Sequence, residues 1–420
     1  MAKVALVTFG SAGDVHPMLA LGSHLRCGGH EVVLVTNPFF AADAEKAGLR
    51  LLPVGTVEQH RQTAAHPKLW DPIDGFGVMW RYLLRPALLP TYHALEELSR
   101  DERWLVLASP VAMGARVAQE KLGLPLVSVY TAATMLRSVC NPMTLAQWRI
   151  PDWTPTPVRR LAWQLLDQHK LQPLVLPDVH RLRLELALPP IASSVVGQWM
   201  HSPLAGMALF PDWFASAPDW PPQVAKTGFA LYDEEGPAPG PGVSAFPDEL
   251  QLFLAAGAAP LVFMAGTASQ GDTSFYQAAV QACTQTGERG LLLGTLPSEW
   301  ISTLPSSIHV QPYVAFGPLL PKARALVHHG GIGTCAQALR AGIPQLIVPR
   351  AYDQFDNAMR LENLGVGRTL KRHALTRMGA ELERLLRDPT VAAACRRWAA
   401  QTNAAAARTA VSQLVERWAQ

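Results

Sequence analysis

The sequence predicts an α/β protein built from two doubly wound, Rossmann-like domains facing across a cleft. Short apolar runs rich in β-formers alternate with stretches of helical period, the signature of a parallel sheet covered on both faces. The series runs twice, separated by the Pro/Gly segment from Glu234 to Val243, which can continue neither helix nor strand. A chain of 420 residues is long enough for two to three units at roughly 100–200 residues per domain.

In the first series, Val4–Phe9 reads as a strand, followed by a glycine turn and an apolar-periodic helix over Met18–Leu25. Strands follow at Glu31–Thr36, Leu51–Val54, Trp104–Ala108 and Leu126–Tyr130, with helices at Phe40–Ala47 and Ala112–Lys121. Residues Gln59–Leu98 and Pro142–Pro203, rich in Trp, Pro and Arg, break the rhythm and read as insertions of loops and amphipathic helices. In the second series, strands are expected at Leu261–Met264, Leu291–Leu293, His309–Gln311, Ala325–His328 and Gln345–Val348. Val391–Ala419 reads as one or two Ala/Arg-rich helices. The expected domains are 1–222, a linker 223–245, 246–398, and a terminal helix 399–420 that packs back on the N-terminal domain. Ligands of open parallel sheets bind beyond the carboxyl ends of the strands, which directs attention to the turns there.

Composition narrows the chemistry. Hydrophobic residues at 49 % against charged residues at 16 % describe a folded chain, and a net charge of +3 is too small to suggest a nucleic-acid binder. The cysteines Cys27, Cys140, Cys283, Cys335 and Cys395 are scattered, without a C-x-x-C pair or zinc spacing, so neither a disulfide framework nor a metal site is expected. No apolar run approaches the ~18–20 residues of a membrane span, and no cleavable signal pattern precedes the first strand. The expectation is a cytoplasmic protein. The basic, amphipathic stretch from Arg159 and Arg160 to Lys170 is either a solvated helix face or a peripheral contact with the inner face of the membrane.

Three turns carry chemistry. His328-His329-Gly330-Gly331-Ile332-Gly333-Thr334 lies between a strand and a helix, where small residues admit an anion to unpaired N–H groups and the positive end of the helix dipole. The same stretch satisfies Gly331-x-Gly333-x-x-Ala336 with Asp353 twenty positions on, a loose dinucleotide fingerprint, but it stands late in its domain rather than at the first turn. Asp353 and Gln354 together offer acceptor and donor groups to vicinal sugar hydroxyls, or Asp353 merely caps a helix. Gly10-Ser11-Ala12-Gly13-Asp14-Val15-His16-Pro17 places a carboxylate at the first strand-to-helix turn, as a general base or as an N-cap.

In order and spacing these motifs resemble the GT-B glycosyltransferases of family 1 across essentially the whole chain. Lys68-Leu-Trp70-Asp71-Pro72, Phe76-Gly77-Val78, Gln198-Trp199-Met200-His201-Ser202-Pro203 and Asp353-Gln354-Phe355-Asp356-Asn357 are further similar to the rhamnosyltransferases of rhamnolipid synthesis. The resemblance implies roles. Asp14 takes the place of the general base; Gly13, Thr267, His328, His329, Gly331, Gly333 and Thr334 would hold the diphosphate side of the donor. Tyr313 and Val314 stand where many members carry a base-stacking tryptophan, and Asp353 and Gln354 would hold the sugar. The acceptor side would involve His16, Trp70, Phe76, Trp80 and Trp199; nine of the twelve tryptophans lie between Trp70 and Trp220.

The function so implied is metal-independent, inverting transfer of L-rhamnose from dTDP-L-rhamnose to the hydroxyl of a lipid-like 3-(3-hydroxyalkanoyloxy)alkanoate. No cofactor beyond the nucleotide-sugar donor is implied, and the enzyme that makes the acceptor is a candidate partner. No D-x-D triplet occurs, so the usual diphosphate–metal ligands of the other glycosyltransferase architecture are missing. Tyr313-Val314-Ala315-Phe316, where Trp-x-Pro-Gln is common, leaves uridine against thymidine open. The alternatives are a UDP-glucose-dependent glucosyltransferase of a sterol, terpenoid or polyketide, and, from another class, a nucleotide-sugar-binding accessory subunit.

Overall fold

The computed structural model describes residues 1–145, 148–232, 246–266 and 272–419. The expected linker segment Glu234–Val243 and the candidate phosphate ligand Thr267 lie outside the described residues. Contacts divide the chain into two compact units, 1–235 together with 404–420, and 236–403.

In the first unit the strands are β1 (Lys3–Val7), β2 (Glu31–Thr36), β3 (Arg50–Pro53), β4 (Leu105–Ala108), β5 (Leu126–Tyr130), a small hairpin β6 (Thr144–Leu145) and β7 (Trp148–Arg149), then β8 (Ala205–Ala208) and β9 (Val224–Lys226). Seven form one parallel sheet in the order β3-β2-β1-β4-β5-β8-β9. Its interior strand β1 is apolar on both faces because both are covered. Val4 and Leu6 pack in one cluster with Val15, Met18 and Leu19 of the helix Ala12–Cys27, while Ala5 and Val7 pack in another with Trp80, Leu84 and Tyr92. At about 1.5–3 kcal/mol for each fully buried large aliphatic or aromatic side chain, these two layers supply most of the driving force that fixes β1.

The second unit holds β10 (Leu261–Met264), β11 (Gly290–Leu293), β12 (Ile308–Gln311), β13 (Ala325–His328), β14 (Gln345–Ile347) and β15 (Gly367–Thr369), all parallel, in the order β12-β11-β10-β13-β14-β15. His328 ends β13 between Met264 of β10 and Ile347 of β14, at the centre of this sheet. The loose dinucleotide fingerprint therefore follows the fourth strand of its unit and not the first.

The two expected insertions are largely helical, with helices over Val57–Ala64, Gly75–Leu98 and Thr156–Glu185 that include single π-type turns. The terminal stretch is two helices, Pro389–Gln401 and Ala404–Trp418, split between the units. The second packs beside Ala12–Cys27, placing Val411 and Val415 in the same cluster as Leu6 and Leu25. Among the described residues no helix is long and apolar enough to cross a membrane.

Candidate active site

The turn after β1 is built by side chains. Gly10 adopts φ +143°, and a Cβ there would stand 2.2 Å from Asp14 Oδ2, so only glycine lets the carboxylate fold back over the turn. Ser11 is the N-cap of helix Ala12–Cys27: its Oγ accepts from Gly13 N–H (3.2 Å), and its own N–H donates to Asp14 Oδ2 (2.8 Å). Asp14 is thus the third helical residue of a capping box, and Ser11, not Asp14, is the cap. Ser11 Oγ also donates to Oδ2 (3.1 Å), and among the described residues Oδ1 receives no hydrogen bond. Burial pushes the Asp14 carboxyl above its ordinary range while the two Ser11 bonds pull it back. A half-buried carboxylate with one oxygen anchored and a raised pKa has the character of a positioned base.

His16, two residues along, stacks on Tyr232 at 4.5 Å between ring centroids and lies 4.0 Å from the Asp43 carboxylate. Trp70 and Phe76 are half-buried. Trp80 and Trp199 belong to the core, at 1 % and 7 % exposure, and are corrected from acceptor contacts to packing residues. The Trp80 indole donates to Asp178 (3.1 Å), and that of Trp199 to Glu120 (2.9 Å). The neighbouring motif residues staple the fold: Asp71 Oδ1 accepts from the N–H groups of Ile73 and Asp74, and Ser202 bridges to Leu126 and Ser128 of β5.

The turn after β13 is built by backbone. Gly331 is the N-cap of helix Ile332–Ala341 and supplies no side-chain bond, which leaves the first N–H groups of the helix for another acceptor. Gly330 has φ +94°, and a Cβ there would lie 2.8 Å from Ile347 Cγ2 and 3.1 Å from the Gln354 carbonyl oxygen. At Gly333 a Cβ would meet nothing within 4 Å, so the first helical turn has open space on that side. Thr334 is buried in that same turn.

The two histidines separate in role. His328 is fully buried; Gly330 N–H donates to its Nδ1 (3.1 Å), so the proton sits on Nε2 and is donated to Gln345 Oε1 (3.0 Å). With both nitrogens engaged inside the protein, His328 is corrected from donor ligand to support for the loop. Its pKa is pushed down to about 3, mainly by burial. His329 is half-buried; a Cβ placed on Gly331 would fall 2.6 Å from its Nε2, and one on Gly266 3.1 Å from its ring. Burial pushes its pKa down to about 4, so at neutral pH it is a neutral imidazole and not a cation; its Nδ1 is buried and has no partner among the described residues.

Next to this loop, Tyr352 takes a left-handed φ of 54° immediately before Asp353. Asp353 stands at the start of helix Gln354–Asn363 but makes no side-chain cap bond; Asn357 Nδ2 donates to its Oδ2 (2.7 Å). Gln354 is buried, and its Oε1 accepts from the N–H groups of Arg350 (2.8 Å) and Ala351 (3.1 Å), which leaves only its amide N–H2 for a ligand. Tyr313 is exposed at 66 %, whereas the Val314 side chain is in the core, so a stacking surface can come from Tyr313 alone. Ser11 and Asn357 are not assigned roles by sequence reasoning; the Ser-x-x-Asp spacing of Ser11 and Asp14 is the signal that could have found the first.

Two stretches of the chain match known families. Residues 4–141 match the glycosyltransferase family 28 N-terminal domain. Residues 293–417 match the erythromycin biosynthesis protein CIII-like C-terminal domain. The chain is a glycosyltransferase of GT-B fold. The glycosyltransferase is 29 % identical to O-mycaminosyltylonolide 6-deoxyallosyltransferase of Streptomyces fradiae, over 100 % of this chain and 98 % of that protein. Among solved structures, the glycotransferase of kitacinnamycin superposes with a TM-score of 0.75 at 22 % identity, over 100 % of this chain and 99 % of its own. A spinosyn rhamnosyltransferase complexed with thymidine diphosphate superposes with a TM-score of 0.65 at 22 % identity, over 98 % and 100 % of the two chains.

Proposed function

We propose that this glycosyltransferase moves L-rhamnose from dTDP-L-rhamnose, with inversion and without a metal, to the hydroxyl of a 3-(3-hydroxyalkanoyloxy)alkanoate. The observation that carries the chemistry is the pair of contrasting turns: an anchored carboxylate at Asp14 and an uncapped, glycine-lined helix start at Gly331–Thr334. In the reaction, Asp14 Oδ1 takes the acceptor's hydroxyl proton as that oxygen bonds to the anomeric carbon. The bond from this carbon to the diphosphate oxygen breaks, and its electron pair leaves with the nucleoside diphosphate. The N–H groups of the helix start and the neutral His329 stabilise that leaving charge. Asp353 and the Gln354 amide bind the sugar, and Tyr313 offers a face to the base. The rhamnosyltransferase bound to thymidine diphosphate among the structural neighbours supports the choice of donor.

A lipid-like acceptor is supported by the apolar surface of the first unit. Trp148, Trp153, Val158, Leu161 and Leu165 are all exposed, the last three at helical spacing on Thr156–Leu166, with exposed Arg160 and Lys170 nearby. Arg159 is not part of that cationic surface, because it is buried and donates to the Val139 and Cys140 carbonyls. Such a surface suits peripheral contact with anionic lipid, from which the acceptor would be drawn; equal sedimentation with anionic and neutral vesicles would remove this contact. The macrolide-directed relative favours a second reading, transfer to a polyketide-type aglycone.

The test is a mass-spectrometric transfer assay with EDTA, offering dTDP-L-rhamnose and UDP-glucose against a hydroxyalkanoyloxy-alkanoate and a macrolide aglycone. A rhamnosylated lipid is the expected product. Product on the macrolide alone would transfer the conclusion to the second reading, and loss of product with EDTA would overturn metal independence.

A further inference from the structure

Asn357 lies on neither the diphosphate loop nor the sugar-binding pair, yet it touches both. It is fully buried on helix Gln354–Asn363, and its Nδ2 donates to the Gly330 carbonyl (2.9 Å) and to Asp353 Oδ2 (2.7 Å). Both partners are obligate acceptors, so the orientation of the amide is fixed by its surroundings. Its Oδ1 is buried and has no donor among the described residues. The fold therefore bears an unpaired carbonyl to keep the two N–H bonds pointing this way.

Gly330 is held from its other side as well. Its N–H donates to His328 Nδ1, and His328 is fixed in turn by Gln345 of β14. Gly330 is thus gripped at its N–H by the His328 imidazole and at its C=O by Asn357, and the same amide orients the Asp353 carboxylate. We propose that Asn357 is a positioning residue that couples the diphosphate loop to the sugar-binding carboxylate, so that the donor's two ends are bound in one register. This rests on the donor site described above. The amide supplies the link that a shorter side chain cannot make, because one group must reach both acceptors at once.

The test is calorimetric titration of the wild type, Asn357→Ala and Asn357→Asp with dTDP, UDP, dTDP-L-rhamnose and UDP-glucose. The wild type is expected to bind one nucleoside diphosphate and to bind its sugar nucleotide differently, the difference reporting the sugar contact. In Asn357→Ala that difference should shrink by about tenfold, while the bare nucleoside diphosphate loses much less. Equal weakening of both ligands means that Asn357 is only structural, and overturns the proposal. Failure of the wild type to bind any of the four removes the donor site itself, and the coupling with it. Asn357→Asp keeps the shape if the alanine variant does not fold. It sets a second carboxylate against Asp353, so the pair must share a proton to restore one bond. Sugar-nucleotide binding by this variant should therefore recover as the pH is lowered from neutral, whereas the wild type shows no such recovery. A variant whose sugar-nucleotide binding is independent of pH would contradict the coupling.

Discussion

The two strand-to-helix turns, after β1 and after β13, are the same supersecondary unit put to opposite uses. After β1 the helix start is closed by its own side chains, Ser11 and Asp14, and a carboxylate is left standing at the strand end. After β13 the helix start carries no side-chain cap, and Gly333 leaves open space beside its first turn. A helix N-terminus that is already satisfied can display a base; one left open attracts an anion. The contrast between general base and anion site therefore comes down to which residue occupies the N-cap.

The largest expected effect breaks the first turn's chemistry while keeping its shape. Asp14→Asn retains an oxygen to accept the Ser11 N–H but cannot take a proton, so transfer should fall by about 10²–10⁴-fold. Calorimetry should find nucleoside diphosphate binding unchanged; near-normal turnover would remove Asp14 as the base.

The second turn carries a pH dependence of stability opposite in sign to that of the buried Asp14 carboxyl in the first. His328 and His329, with pKa values pushed down to about 3 and about 4 from the ordinary 6.5, are neutral in the folded protein. Below 6.5 the unfolded chain binds protons that the folded one refuses, so stability should fall as the pH drops from there toward about 4. His201, also pushed down to about 4 by burial, adds to the same trend. Melting temperatures across that range measure it, and a His328→Asn variant should flatten the slope.

Next in size is a pair of alanines in one loop. Gly330→Ala meets a positive φ and the side chain of Ile347, and should cost about 1–3 kcal/mol of stability. Gly333→Ala places a methyl in open space on a helix, so stability should hold or rise by up to about 1 kcal/mol while nucleotide binding weakens. Chemical denaturation and titration of the same two proteins separate the effects.

The smallest is Ser11→Ala, which removes an N-cap worth about 1 kcal/mol. It also removes a bond that lowers the Asp14 pKa, so the acid limb of the activity profile should move to higher pH. An unshifted limb would mean that this bond does not tune Asp14.

Much of the fold is legible because buried parallel strands are short apolar runs. Glu31–Thr36, Leu126–Tyr130, Leu261–Met264 and Ala325–His328 begin and end where their composition says they should. Besides the short hairpin β6–β7, three strands of the two parallel sheets escape such a reading. Ala205–Ala208 is Ala-Gly-Met-Ala, with no β-branched residue; its glycine is demanded by the sheet, since a Cβ on Gly206 would lie 2.9 Å from the Tyr130 ring. Val224–Lys226 and Gly367–Thr369 are three-residue edges, too short to carry a period. In the site, residue type suggests both turns, but it cannot tell the two histidines apart. That distinction lies in which imidazole the Gly330 N–H reaches, a contact across two residues that no composition encodes. Likewise Trp80 and Trp199 have the right chemistry for a greasy ligand but are buried in the core cluster with their indole N–H groups bonded to Asp178 and Glu120.

The helix Ala404–Trp418 has a consequence for biogenesis. It completes the first unit, yet the whole second unit precedes it in the chain. A ribosome that has synthesised the amino-terminal sheet must still translate about 170 further residues before Val411 and Val415 can cover it. During that interval the nascent sheet presents an uncovered apolar strip, so the first unit to be made is the last to be finished.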